Sequence, residues 1–565
     1  MIFNPIIRKE VLSALRTRKA VVMEGLFLLV TAALVWLLWP ADGLQDIGGR
    51  QARRILSVLA VAEVVMVAMF APAFTAASLT GERERNTLES LFATAMRPGE
   101  IALGKMVGSL GFLVLVVLSG IPALASPLLL GGLKGSEVVA VVAVLLLTAV
   151  YLGMIGLLVS SMMHRSYRAI IVTFGVLAVV CFLVAFPAWP VSGDLMMRGG
   201  RVSQMVLHTT ASLSPLQAML SLVLPESAYA AGVPNMPPCW QMFFYLSIPA
   251  ILLTGGVCWA RLRRPISPPR PREKLKVVER NHFSGRTILY MYFFDPNKRK
   301  KNIGPLQNPV LMKEFRTRPI LQARWLMRAI SICLITSILL MSLVTLSVMA
   351  FVAESMDMIG SIAAAVGAMM VVLIILVGPA MTGGAICSDR ETGVWDLLRT
   401  TRLSSWTIVS GKFQAAIIPL LLLATAMMPA LGVLMVFKLD IWPNVLHISY
   451  VVGMTVLFVA TVGMFFSSIF SRTSTATAWT YALVLTLGLL TLLVLMGEDL
   501  FSQRFIAAVF LLNPVAAVLA AAGSPSMQSY DLMVPHLAIM GSAVVVMFAV
   551  TVFRVFQLRR MDSGA

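Results

Sequence analysis

Long apolar runs dominate the chain, and short polar islands interrupt them at regular intervals. Twelve of these runs reach the ~20 residues that an α-helix needs to cross a bilayer core of ~30 Å. They lie near 21–39, 55–79, 105–130, 138–162, 169–189 and 240–260, and again near 326–351, 359–386, 412–436, 445–469, 475–496 and 537–556. The pattern predicts an all-α polytopic membrane protein with twelve transmembrane helices in two tandem six-helix repeats. One polar island marks the repeat most clearly. Glu82–Lys105, ERERNTLESLFATAMRPGEIALGK, returns without a gap as Asp389–Lys412, DRETGVWDLLRTTRLSSWTIVSGK, at a constant offset of 307. Arg83, Glu84, Leu91, Thr94, Ile101, Gly104 and Lys105 reappear as Arg390, Glu391, Leu398, Thr401, Ile408, Gly411 and Lys412. Such self-similarity is the signature of a duplicated chain.

Within the island, Leu88, Leu91, Phe92 and Ala95 fall at i, i+3, i+4 and i+7, the spacing of an amphipathic helix. Ser388 with Glu391 fits a capping box, and Gly81 takes the matching cap position in the first copy. A charged helix between two spans either lies among lipid headgroups or docks on another protein. Repetition of the same Arg-Glu, Thr and Gly-Lys favours docking. The N-terminal stretch is a second repeated amphipathic segment. Phe3, Ile7, Val11 and Ala14 share one face, and Lys9, Ser13 and Arg16 share the other. Its Asn4-Pro5 and Lys9-Glu10 return as Asn308-Pro309 and Lys313-Glu314. This predicts an in-plane interface helix on the leaflet. Ser160-Ser161 and Ser467-Ser468 mark equivalent inner turns. Ser214–Ala218 and Asn513–Ala517, offset by 299, precede the last run of each half. They read equally as re-entrant helices or as ordinary outer loops.

The boundaries that follow are 1–260 for the first six-span repeat, 261–307 for a Pro- and Arg-rich linker, and 308–565 for the second repeat. Composition agrees with a membrane chain, since 58% of the 565 residues are hydrophobic and 13% charged. The net charge is +19, and on this topology most Lys and Arg fall on the side of the N-terminus. The positive-inside rule then places both termini and the repeated islands in the cytoplasm. The surplus suits anionic lipid heads. It does not suit nucleic acid, because no folded basic domain gathers it. The five cysteines are scattered without a CxxC pair. The first apolar run is too long for a signal peptide and lacks a cleavage pattern, so it reads as an uncleaved span.

Little in the chain carries catalytic chemistry. Gly99–Lys105 satisfies GxxxxGK, but Met106 stands where Ser or Thr would hold magnesium, and no strand precedes it. The five histidines form no metal-ligand spacing. Carboxylates in or at the edges of spans are Glu24, Glu63 and Glu137, and none has a counterpart at the repeat offset. Glu63 reads as an interfacial or hydrogen-bonded residue, with a cavity-facing carboxylate as the alternative. The abundant methionines read as gap fillers in apolar runs.

An amphipathic lead-in helix with Lys-Glu, two spans joined inside by E-R-E-x-x-T-L-x-x-L with Gly-Lys beyond it, and four further spans resemble the ABC-2 type permeases. These are the membrane subunits of type V ABC transporters. The chain resembles bacterial permeases grouped with multi-copper-enzyme maturation and gliding-motility transporters, here with two permease domains fused. The resemblance implies coupling helices over 83–96 and 390–403 that dock on an ATPase through Arg83, Glu84, Leu88, Leu91, Arg390, Glu391, Trp395 and Leu398. It implies interface helices bearing Lys9, Glu10, Lys313 and Glu314. It also implies two cytosolic ABC ATPase subunits as partners, with ATP and magnesium bound there and no cofactor in this chain. The chain is then a permease, not an enzyme. It would act as an exporter in a bacterial cytoplasmic membrane, in contact with lipid, on a substrate that the sequence does not name. Two other readings stay open: a twelve-span ion-coupled secondary carrier, and a membrane assembly platform without transport.

Overall fold

A computed structural model describes residues 7, 9, 18–39, 49–76, 78–84, 87, 96, 98–163, 166–178, 180–181, 205, 208–224, 236–262, 308–317, 356–437, 439–524, 527 and 530–561. The expected span 326–351, the 263–307 part of the linker, and Leu88, Leu91 and Glu10 lie outside the described residues. In the first half the helices are α1 (Arg18–Leu38), α2 (Arg50–Thr75), α3 (Ser78–Glu84), α4 (Pro98–Ala125), α5 (Gly135–Met162), α6 (Ser166–Ala178), α7 (Pro215–Val223) and α8 (Cys239–Leu262). The second half carries α9 (Pro309–Thr317), α10 (Met356–Thr382), α11 (Cys387–Glu391), α12 (Val394–Arg399), α13 (Ser405–Phe437), α14 (Trp442–Ile469), α15 (Thr473–Gly488), α16 (Gln503–Phe510), α17 (Pro514–Ala521) and α18 (Met533–Met561). All described regular structure is helical, as lipid demands, because a helix satisfies its backbone polar groups internally.

Among the described residues, nine helices are long and apolar enough to cross a membrane. The count becomes ten if α16 and α17, bent by 101° at Asn513, make one broken or re-entrant span. The expected twelve are thus not all present as full spans. Span 326–351 is not described, the apolar part of α1 is the short stretch Glu24–Leu38, and the expected span 169–189 is described only over α6 and 180–181.

Helix boundaries repeat at the sequence offset. The bounds of α5, shifted by 307, are those of α14, and α2, α4 and α6 begin where the same shift places α10, α13 and α15, to within one residue. The same packing device recurs. Gly156 of α5 lies so close to Thr75 that a Cβ would overlap the hydroxyl, and Gly463 of α14 lies equally close to Thr382. Glycine at these positions lets α2 pack tightly on α5, and α10 on α14. Among the described residues the two largest apolar cores belong one to each half, and that of the second half also takes in Ala169, Ile170 and Phe174 of α6. The halves meet there. Phe174 stacks on Tyr481 of α15 with ring centroids 3.7 Å apart and planes at 17°. These two residues occupy the same position of the repeat. Beside them Val64, Met69, Leu177, Leu376 and Leu485 line a cavity of about 30 Å³. A water needs only ~10–15 Å³, but these walls offer it no hydrogen bond, so the cavity stays dry.

Candidate functional site

The repeated island of the second half begins where α10 ends. Thr382 closes α10, the chain turns through Gly383–Ile386, and α11 follows. The first amides of α11 are capped from another helix. Ser467 Oγ, at the end of α14, accepts from Ile386 N at 2.8 Å and Cys387 N at 3.0 Å. The first half repeats this, with Ser160 Oγ accepting from Leu79 N and Thr80 N at 3.2 Å. The capping box expected from Ser388 and Glu391 does not form, and Gly81 lies inside α3 and does not cap it. A local cap is redundant where a neighbouring hydroxyl already fills the orphan amides.

The expected coupling helix over 390–403 is two short helices. Gly393, at φ +73°, breaks it between α11 and α12, a conformation that glycine adopts without a Cβ penalty. Trp395 and Leu398, placed by sequence on the docking face, point inward instead. They are 4% and 8% exposed and pack with Val310, Ile408, Met464 and Val555. The outward face of α12 presents Asp396, Leu397 and Thr400, with Leu397 70% exposed. Sequence reasoning missed Leu397 because the first copy has Ser90 at that position, so the repeat did not flag it.

The segment is bolted to its surroundings by polar contacts. Glu391 Oε1 accepts from Thr473 N at 2.9 Å and its other oxygen from the Thr473 hydroxyl, so this exposed residue caps α15. Arg559 in the last turn of α18 donates to the carbonyls of Leu403 and Thr401. Arg83 of the first copy donates to Met163 O at 2.8 Å, at the C-terminus of α5 where a cation is favoured. Arg390 is half-buried. Glu84 ends α3, with its side chain outside the described residues.

Beneath the segment lies a buried charge cluster that unites the other repeated residues. Lys412 Nζ, fully buried, reaches Asp389 Oδ2 at 2.6 Å, Glu314 Oε1 at 3.1 Å and Ala385 O at 2.7 Å. Lys313 Nζ joins the same Asp389 oxygen at 3.0 Å and Glu314 at 3.4 Å. Two cations and two carboxylates thus tie α9 and α13 to α11. Asn308 caps α9 by accepting from Val310 N at 3.0 Å, and its amide donates to Thr407 O at 2.9 Å. A Cβ on Gly411 would collide with that amide, which explains the glycine of the repeated Gly-Lys. In the first half Lys105, 3% exposed, pairs with Glu82 at 2.9 Å. Burial pushes the Glu82 carboxyl up, but the Thr87 hydroxyl and the Lys105 ammonium outweigh it and hold the group below its ordinary range; Lys9 adds to this from a distance. Lys105 therefore serves as a helix-borne ion-pair partner within α4, not as the lysine of a phosphate loop.

Residues 3–190 match the family model described as ABC-2 type transporter. No curated protein matches the chain. The matched stretch runs from the lead-in segment through the first copy of the repeated island and on past α6, the elements whose counterparts build the cluster just described. Over residues 3–190 the chain is similar to the ABC-2 type transporter family, whose members are membrane-embedded subunits of ABC transporters.

Proposed function

We propose that this one chain supplies both permease domains of an exporter, with repeats over 1–260 and 308–565 joined by the linker 261–307. Two separately encoded cytosolic ATPase subunits dock on the segments around α3 and α11–α12, and ATP and magnesium bind in those partners. The termini face the cytoplasm of a bacterial cell. One observation carries the reading. The α11–α12 segment is tied to α9, α13, α14, α15 and α18, yet turns a single large apolar side chain, Leu397, toward the aqueous side. A lever needs such construction, with a rigid base and an exposed tip. Closure of the ATPases pushes the tips, the halves tilt, and a path opens where Phe174 meets Tyr481.

The docking face differs from the sequence expectation in which residues touch the partner. In the second copy Asp396, Leu397 and Thr400 make the contact, while Trp395, Leu398, Lys313, Glu314 and Glu391 hold the segment in shape. Burying a leucine contributes ~1.5–3 kcal/mol, roughly tenfold to a hundredfold in affinity. Copurification with candidate ATPases tests this. Leu397→Asp is expected to cut ATPase association at least about tenfold while leaving the melting temperature of the permease unchanged. Association and ATP-driven transport that both survive Leu397→Asp overturn the docking assignment.

A further inference from the structure

Glu63 occupies the middle of α2 and is 0% exposed. Neither carboxyl oxygen has a hydrogen-bond partner among the described residues. The sequence reading, an interfacial or hydrogen-bonded glutamate, is therefore corrected on both counts. A carboxylate in the interior of a membrane span, stripped of water and of partners, is costly, and such residues mark functional positions. Gly120 of α4 makes the room. A Cβ there would stand 2.6 Å from Oε1. At the repeat offset the same two positions hold Met370 and Met427, both buried and both apolar. The two halves share their frame, but only the first replaces a pair of thioethers by a carboxyl and a glycine. The exchange is not demanded by the fold, because the second half packs without it.

The space selects the ligand. The Gly120 backbone closes one side of the carboxyl, and no group of three or more His, Cys, Asp or Glu able to hold a metal occurs among the described residues. A proton needs no room. The ionisable side chains described on the elements packed against α2 are Glu24 of α1, Glu100 and Lys105 of α4, Glu137 and Tyr151 of α5, and Tyr481 of α15, with Arg50, Arg53 and Arg54 on α2 itself. None is a partner of Glu63. Lys105 is bound to Glu82, Glu137 to Arg53, and the Tyr481 hydroxyl to Leu376 O.

We propose that Glu63 is a proton-binding site built into the first half alone. The closed α2–α4 pair holds one proton on the carboxyl. When the pair parts, the O–H bond breaks, the proton passes to entering water, and a carboxylate remains; closure takes a proton back from water. The residues that follow, Val64 and Val65, line the cavity between the halves, so α2 carries the proton site on one side and the path wall on another. Protonation of Glu63 is thereby linked to the position of the wall. The inference stands on the membrane frame and does not require that ATPases dock where proposed above.

The purified full-length chain in lipid nanodiscs tests it by infrared spectroscopy. Wild type minus Glu63→Gln is expected to show the C=O absorption of one protonated carboxylic acid at neutral pH. The double variant Glu63→Met with Gly120→Met, which installs the pair of the second half, is expected to fold and to lack the same band. The melting temperature of wild type is expected to fall as pH is raised from the ordinary carboxylate range through neutral, with the slope at least halved in both variants. Absence of the protonated-acid band, or a pH slope identical in wild type and Glu63→Gln, overturns the proposal. Failure of the double variant to fold also counts against it, since the substitution would then be structural.

Discussion

Lys412 is an ammonium sealed from water eight residues into a helix that goes on to span the membrane. It is tolerated because Asp389 and Glu314 meet it directly and Lys313 balances the second carboxylate. Removing one member of a buried pair leaves the other charge without compensation, which costs ~3–5 kcal/mol. Lys412→Met is therefore expected to destabilise the chain by about that much, read from unfolding in detergent. Lys313 contacts the same carboxylates, but its side chain is 28% exposed and water can replace it. Lys313→Met is expected to cost no more than about 1 kcal/mol in the same assay. Equal losses in the two variants would mean that the four charges do not divide into a buried and a solvated cation.

At the level of elements, the short helices before the last span of each half show how one architecture is written twice in different residues. Ser214 caps α7 and Asn513 caps α17. Both also reach back to the end of the preceding span segment. The Ser214 hydroxyl donates to Cys181 O at 2.7 Å, and the Asn513 amide donates to Thr491 Oγ1 at 2.6 Å and Gly488 O at 3.4 Å. Cys181 and Gly488 are repeat-equivalent positions. The bend of 101° before α17 is thus pinned at its apex by a residue that caps on one side and ties on the other. Loss of such a cap costs ~0.5–2 kcal/mol. Asn513→Ala is expected at the upper end, because Asn513 accepts from two amides, and Ser214→Ala at the lower. Hydrogen exchange at Val515, Ala516 and Gln217 checks the order.

For the whole molecule, the seam between the halves is the decisive feature. Its walls are apolar, its cavity is dry, and two repeat-equivalent rings close it by stacking. Stacked aromatics contribute ~0.5–1.5 kcal/mol beyond their burial, enough to hold a gate but small beside a power stroke. Replacing both rings by hydroxyls, Phe174→Ser with Tyr481→Ser, is expected to wet the seam and raise the ion leak of proteoliposomes at least several-fold without any ATPase. Liposomes that stay as tight as wild type would place the barrier elsewhere.

The sequence by itself determined the class, the duplication and most of the helices. Each of these rests on local information: apolar length against bilayer thickness, and polar residues recurring at a constant offset. It also singled out Lys313-Glu314, Lys105, Lys412 and the paired serines, which the structure engages in buried contacts, since repetition shows that a residue is constrained. What constrains them only the tertiary structure decided. Lys412 meets Glu314 across 98 positions of chain, and Ser467 caps amides 80 positions away, distances over which periodicity carries no signal. The same limit turned Trp395 and Leu398 from docking residues into core and left Leu397 outside. It also hid Glu63, whose lack of a partner among the described residues is a property of the helices packed around it and not of the letters on either side.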